Sequence, residues 1–62
     1  MKKWIIKVNY PDGSYMYVSA PLSDGVYSGT ASHKIDAYVF DIKPDIDSIY
    51  FNGGKGELEE VL

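Results

Sequence analysis

The fold depends on one ambiguous stretch, residues 32–43, which read SHKIDAYVFDIK. Part of its apolar content recurs at the i, i+3, i+4 and i+7 spacing of one helical stripe, formed by Ile35, Tyr38, Val39 and Ile42. Ser32 is suited to the N-cap, Lys43 to the last turn, and Pro44 to the stop that follows it. These features predict an α-helix over residues 32–43.

The same stretch also fits a β-strand, because it is rich in β-branched and aromatic residues. Asp36 and Asp41 favour the helix, since they lie on its polar side. A strand buried on both faces would have to accommodate both carboxylates. We therefore expect a helix, with a strand as the alternative.

Residues 3–20 predict a β-hairpin. Apolar residues alternate with others on both sides of the sequence Pro11-Asp12-Gly13. This sequence supplies the fixed φ and the positive φ that a chain reversal requires. One face of the hairpin is then expected to meet the helix, with side chains Trp4, Ile6, Val8, Met16 and Val18.

The later elements are short. Residues 21–31 are rich in turn formers and leave room for a brief edge strand at Val26 and Tyr27. Residues 46–51 predict a strand with Ile49 and Phe51 on the face toward the helix, and the sequence NGGKG at 52–56 predicts a hairpin loop.

A last edge strand is predicted from Glu57 to Leu62, where acidic side chains would discourage pairing with another chain. Residues 1–62 are thus expected to form a single α+β domain, a small antiparallel sheet of about four strands in the order ββ(β)αββ with one α-helix packed on one face. If residues 32–43 are a strand, the alternative is a small all-β barrel.

Composition excludes several function classes. The chain has 62 residues and no cysteine, so neither disulfides nor thiolate metal sites can supplement its core. A core of this size rarely supplies more than about 3–5 kcal/mol, and a catalytic centre needs supporting residues that so short a chain can hardly spare. We expect no enzymatic activity and no cofactor, and an added stabilising contact from a partner or a second copy.

No motif indicates catalysis or metal binding. The lysine of NGGKG is followed by glycine rather than the Ser or Thr of a phosphate-binding loop. Asp41, Asp45 and Asp47 lack the glycine and glutamate of a calcium-binding loop. His33 is the only histidine, and although Asp36 would lie near it on a helix, no nucleophile is indicated.

Charge is unevenly distributed along the chain. Residues 1–35 carry four lysines and two aspartates, a net +2, whereas residues 36–62 carry two lysines and seven acidic residues, a net −5. All six basic residues are lysines, so the chain has no arginine. The arginine guanidinium group makes paired hydrogen bonds to bases and phosphates, and its absence disfavours direct nucleic-acid binding. The acidic half instead predicts contact with a basic protein surface through Asp45, Asp47, Glu57, Glu59 and Glu60.

Tyrosine is the other candidate for binding. One helix can cover only one face of the sheet, so Tyr15, Tyr17 and Tyr50, with Ile5, are expected on the uncovered face. Tyrosine combines a large apolar ring with a polar group and is enriched in interfaces. The alternative is an ordinary solvated face of an antiparallel sheet.

Two resemblances are limited in extent. The layout of residues 15–37, a strand followed by turns and a helix, resembles the core of HicB-type antitoxins, although it lacks the acidic helix start usual there. In size, acidity and lack of arginine the chain is similar to small inhibitors encoded by phages, including anti-CRISPR proteins and mimics of nucleic acid. Neither resemblance rests on a diagnostic residue, so the chain is assigned to no family.

The function expected from the sequence is therefore protein binding without catalysis. We expect a cytoplasmic module that blocks a protein partner, of the kind that phages or prophages encode as inhibitors, with nucleic-acid mimicry as one version. The alternative is a self-associating homodimer or an antitoxin-like regulator. No apolar run is long enough for a signal peptide or a membrane span, so we expect no contact with membranes.

Overall fold

A computed structural model describes residues 2–61 and contains one four-stranded antiparallel sheet. The strands are β1 (Lys3–Asn9), β2 (Tyr15–Val18), β3 (Thr30–Ala31) and β4 (Lys55–Val61), in the spatial order β3-β2-β1-β4. Two 3-10 turns, Lys34–Asp36 and Ile46–Ser48, lie in the long connection between β3 and β4. Within the described residues, no helix has the length and apolarity needed to cross a membrane.

The predicted hairpin is present as β1 and β2. The Gly13 N–H donates to the Tyr10 carbonyl at 3.0 Å, and the Tyr10 N–H donates to the Ser14 carbonyl at 2.9 Å. With Gly13 at φ +92°, this is a type I turn closed by a left-handed glycine. The Asp12 carboxylate accepts from the hydroxyl and N–H of Ser14, and these hydrogen bonds lower the pKa of Asp12.

One face of the sheet carries the main core. Ile6, Val8 and Val18 are fully buried there, and Phe51 packs over them, stacked on Tyr27 at a centroid distance of 5.9 Å. The chain that covers this face is irregular and also contributes Leu22, Phe40, Ile46 and Ile49, while Tyr10, directly after β1, packs against the same core. Loops therefore close the core from above the sheet.

The predicted α-helix over residues 32–43 is absent, so the α+β assignment is wrong. After one 3-10 turn the chain is extended at Ala37, and Phe40 exchanges two backbone hydrogen bonds with Trp4, at 3.0 and 2.7 Å. The Tyr38 N–H donates to the Val18 carbonyl at 2.9 Å. The stretch thus bonds to backbone groups of β1 and β2 that have no other strand beside them within the described residues. Its β-branched and aromatic residues favour this extended conformation.

The all-β barrel alternative is not observed either. The spatial order places β3 and β4 at opposite ends of the sheet, so the sheet is open. Phe40 packs against the core, whereas the stripe that predicted the helix lies at the surface: Ile35 is 90% exposed and Ile42 is 85% exposed, with Tyr38 and Val39 also exposed. The helical spacing of these four residues does not reflect burial.

The predicted edge strand at Val26 and Tyr27 is not formed: Val26 closes a tight turn and makes an isolated parallel β-bridge with Tyr50. Ser23 and Val26 exchange backbone hydrogen bonds at 3.0 and 2.9 Å, around Asp24 and Gly25, which both have positive φ. This is the type I′ geometry that an Asp-Gly pair favours. The edge strand β3 forms further along the chain, at Thr30–Ala31.

The predicted strand over residues 46–51 begins as a 3-10 turn, although Ile49 and Phe51 contact the core as expected. At Asn52-Gly53 both residues have positive φ, and the Gly54 N–H donates to the Phe51 carbonyl at 3.0 Å. The sequence NGGKG thus forms a type I′ turn. Strand β4 starts earlier than the predicted Glu57, and its predicted end at Leu62 lies outside the described residues.

The second face of the sheet is also covered. Ile5 and Tyr17 point to this face and are buried, although they were expected to stand uncovered. The Lys34 ammonium group lies 3.0 Å from the Glu59 carboxylate on β4, so the chain that leaves β3 passes across this face. Extended chain advances about 3.3 Å per residue against about 1.5 Å for a helix, which is why one connection reaches both faces.

Candidate protein-binding surfaces

Tyr15 and Tyr17 lie side by side on the second face of the sheet. Their rings meet edge to face at 5.9 Å, and the Lys7 ammonium group lies 4.4 Å from the centre of the Tyr15 ring. Tyr15 is 50% exposed, but Tyr17 is only 7% exposed. Of this pair, Tyr15 alone offers substantial surface to a partner.

Tyr50 does not join them. It lies in the chain that covers the core face, where its N–H donates to the Gly25 carbonyl at 3.0 Å. Its ring is 64% exposed, and its hydroxyl donates to Asn52 Oδ1 at 3.1 Å. The predicted face shared by Tyr15, Tyr17 and Tyr50 is therefore not formed, since their layers lie on opposite sides of the sheet.

The glutamates of β4 lie at one edge of the sheet, as predicted. Glu57 and Glu59 share the second face, and Glu60 points to the other. Two of these carboxylates are paired: Glu59 with Lys34 at 3.0 Å, which raises the pKa of Lys34, and Glu60 with Lys2 at 3.8 Å. Glu57 accepts a hydrogen bond from a neutral amide, Nδ2 of Asn9 at 3.3 Å.

Asp45 and Asp47 are exposed in the second 3-10 turn. The Asp45 carboxylate accepts from the Asp47 N–H at 3.2 Å and caps this turn. The turn packs on the core face, where a methyl group placed on Gly56 would lie 3.2 Å from Ile46. The two aspartates therefore lie on the opposite side of β4 from Glu57, and the five predicted acidic residues do not form one surface.

Metal binding or catalysis would require that the described residues bring suitable side chains together. No group of three or more His, Asp or Glu side chains in residues 2–61 is arranged to hold a metal ion. His33 and Asp36 are joined only through the backbone, the Asp36 N–H donating to the His33 carbonyl at 3.0 Å. One depression of about 480 Å³ has a single charged group, Lys55, in its lining of Asn9, Tyr10, Pro11, Gly53, Gly54 and Lys55.

The most exposed apolar residues were missed at the sequence level. Four of the large apolar side chains at the surface come from residues 35–42, here called the apolar segment: Ile35, Tyr38, Val39 and Ile42. Polar residues, Asp36 and Asp41, separate them along the chain. A signal was present, because the segment fits the helix and strand periods equally well, but periodicity does not distinguish burial from binding.

Comparison with known proteins gives no relative: no family model matches the chain, and no curated protein or solved structure matches it at significant similarity. The surfaces described above are therefore the basis for any functional proposal.

Proposed function

We propose that this protein is a non-enzymatic binding module that blocks or modulates a protein partner. The observation that supports this proposal is the exposure of the apolar segment, in which Ile35 is 90% exposed and Ile42 is 85% exposed. Burying one such side chain against a partner is worth about 1.5–3 kcal/mol. In a chain with so small a core, this is a large amount of apolar surface to leave in water.

The surroundings of the apolar segment also fit a protein partner. Asp36, Asp41 and Lys43 are exposed between or beside its apolar side chains. An apolar centre with a polar rim is the usual composition of a protein interface. Elsewhere on the molecule, the three glutamates of β4 outnumber its one lysine, and this negative charge would steer a basic partner toward the protein.

An inhibitor of the kind encoded by phages remains our leading version of this proposal. Mimicry of nucleic acid is a narrower version, and it draws less support, because lysines pair with Glu59 and Glu60 and the acidic residues lie on two sides of β4. An antitoxin-like regulator also draws less support, since the helix in that resemblance is replaced by extended chain at Tyr38 to Phe40. A homodimer that buries the apolar segment is the remaining alternative.

The proposal is tested with a double variant, Ile35→Ser with Ile42→Ser. Both side chains are exposed, so we expect it to fold with unchanged circular dichroism and to lose a partner that the unaltered protein retains from extracts of its host. Tyr50→Ser is the matched control, because it removes an exposed apolar ring elsewhere, and it should retain the partner.

Two results would contradict the proposal. One is retention of the same proteins by the folded double variant, which would place binding on another surface. The other is a stable dimer in sedimentation at low micromolar concentration that the double variant dissociates. That outcome would favour the self-associating alternative.

A further inference from the structure

The outer side of β4 is an open strand edge, and the register of the sheet shows which backbone groups it presents. Trp4 exchanges its backbone hydrogen bonds with Phe40, on the side of β1 that faces β2. Successive residues of a strand point their N–H and C=O groups to opposite sides. The odd-numbered residues of β1 therefore face β4, and they pair with the odd-numbered residues of β4.

The even-numbered residues of β4 consequently point away from the sheet. These are Gly56, Leu58 and Glu60, and no backbone hydrogen bond within the described residues engages their N–H or C=O groups. The edge thus presents three donors and three acceptors along a seven-residue strand. Such a row is a template for an added strand.

The side chains at this edge restrict what can be added. Glu57 and Glu59 project on one face of the strand, and half-buried Leu58 projects between them on the other. Glu57 has no ion pair within the described residues, because the Lys7 ammonium group opposite it lies over the Tyr15 ring. Glu59 is already paired with Lys34 at 3.0 Å. An incoming strand therefore meets the unpaired charge of Glu57 and a partly neutralised Glu59 on one face, and an apolar side chain on the other.

A second copy of this chain fits the edge poorly. The antiparallel register that pairs all seven residues of β4 with another β4 places Glu57 opposite Glu59 at two positions. Shifting that register by two residues in either direction leaves five residues paired and places Glu57 opposite Glu57 or Glu59 opposite Glu59. Only the first of these shifts also sets Lys55 opposite Glu59. Like charges directly opposite each other destabilise a strand pair.

We propose that the outer edge of β4 binds an extended basic segment of another protein by strand addition. Lysine or arginine at alternate positions of that segment lies against Glu57 and Glu59, and the apolar residue between them lies on the side of Leu58. Backbone hydrogen bonds supply affinity and the alternating side chains supply specificity. This edge is separate from the apolar segment, so the inference stands independently of the proposed function.

The probe is a blocked heptapeptide with lysine at every second position and valine between, and its control has glutamate in place of lysine. Titration followed by amide NMR should shift the signals of Gly56, Leu58 and Glu60 with the lysine peptide only. Exchange of these three amides should slow, whereas the amides of Glu57 and Glu59, already bonded to β1, should change little.

Three variants test the geometry. Glu60→Pro removes an N–H that faces away from the sheet, a place where an edge strand tolerates proline, and should weaken peptide binding about two- to tenfold, as expected for one backbone hydrogen bond. Glu60→Gln is its charge control and should bind more tightly than Glu60→Pro. Glu57→Gln with Glu59→Gln keeps the backbone and should weaken binding in proportion to the lost charge.

The inference is overturned if the glutamate peptide binds equally well, if the shifts map to another surface, or if the same amides become protected by raising the concentration of the protein alone. The double variant of Ile35 and Ile42 should bind the peptide normally. A failure of the strand edge is therefore distinguishable from a failure of the apolar segment.

Discussion

The N-terminal hairpin, residues 3–18, and the covering segment, residues 32–51, contribute to the same core by different means. In the hairpin, alternation decides which face each side chain takes. Ile6 and Val8 are fully buried on the core face, while Trp4 and Met16 on the same face are only half-buried. In the covering segment, Phe51 is buried while Ile42 is 85% exposed, with no regular period to separate them. In a paired strand, the position of a residue decides which face its side chain takes. In an irregular covering segment, a side chain is buried only where the sheet below it offers apolar surface.

The comparison is most sharply tested by the same substitution in both regions. Ile6→Ala deletes buried methyl groups and should cost about 2–5 kcal/mol, comparable to the whole core of so small a domain. Ile42→Ala should change stability by no more than about 0.5 kcal/mol, because its side chain is already in water. Urea unfolding followed by circular dichroism measures both. Equal losses would mean that residues 32–43 pack inward in solution.

A smaller effect is expected where the covering segment meets the sheet at β4. A methyl group on Gly56 would overlap the Phe51 ring, so Gly56→Ala should destabilise by about 1–3 kcal/mol through displacement of the cover. Glu57→Ala is the neighbouring control, with its side chain on the other face. If Gly56→Ala is neutral or stabilising in thermal unfolding, Phe51 does not lie against β4 as described.

The smallest effect is expected in the hairpin turn. The hydroxyl and N–H of Ser14 lower the pKa of Asp12 in the folded protein. The unfolded state then binds more protons, so this contribution to stability is present above about pH 4 and is lost as pH falls through the lowered pKa of Asp12. Asp12→Asn should therefore lower the melting temperature at pH 6, with the difference shrinking toward pH 2.

Ser14→Ala provides the check on this titration. It removes the hydroxyl that contributes most to the lowered pKa of Asp12, so its melting temperature should depend on pH less steeply in the acidic range. A profile identical to that of the unaltered protein would show that the carboxylate is not held by Ser14.

Local patterns predicted the features that depend on neighbouring residues. The Pro-Asp-Gly and Asn-Gly sequences formed tight turns because glycine and asparagine accept the positive φ that these turns require. The alternation around Tyr50 also correctly placed Ile49 and Phe51 toward the core. Each of these outcomes is decided within a few residues.

The sequence of residues 32–43 offered no reason to reject an α-helix, because its apolar spacing and its end residues are both compatible with one. The chain is extended at Tyr38 and Phe40 because the backbones of Val18 and Trp4, distant in sequence, supply their hydrogen-bond partners. A buried unpaired N–H or C=O is costly, and filling these positions satisfies groups on both sides.

The candidate surfaces divide in the same way. That β4 would be an acidic edge strand could be inferred from its own residues. That Glu59 would be paired with Lys34, and that Tyr17 would be covered, depended on a connection crossing the second face of the sheet. The exposure of Ile35 belongs to the same connection, since all three residues of the 3-10 turn Lys34–Asp36 are exposed.

The sequence by itself determined the hairpin, its turn and the acidic edge, since each depends on residue type or on spacing within one element. The tertiary structure decided that residues 32–43 would be extended, that Tyr17 would be covered and Tyr50 would lie on the other side of the sheet, and which isoleucines would remain in water. These outcomes depend on hydrogen-bond partners and apolar surface supplied by β1 and β2, which lie far away in sequence and become neighbours only when the chain folds.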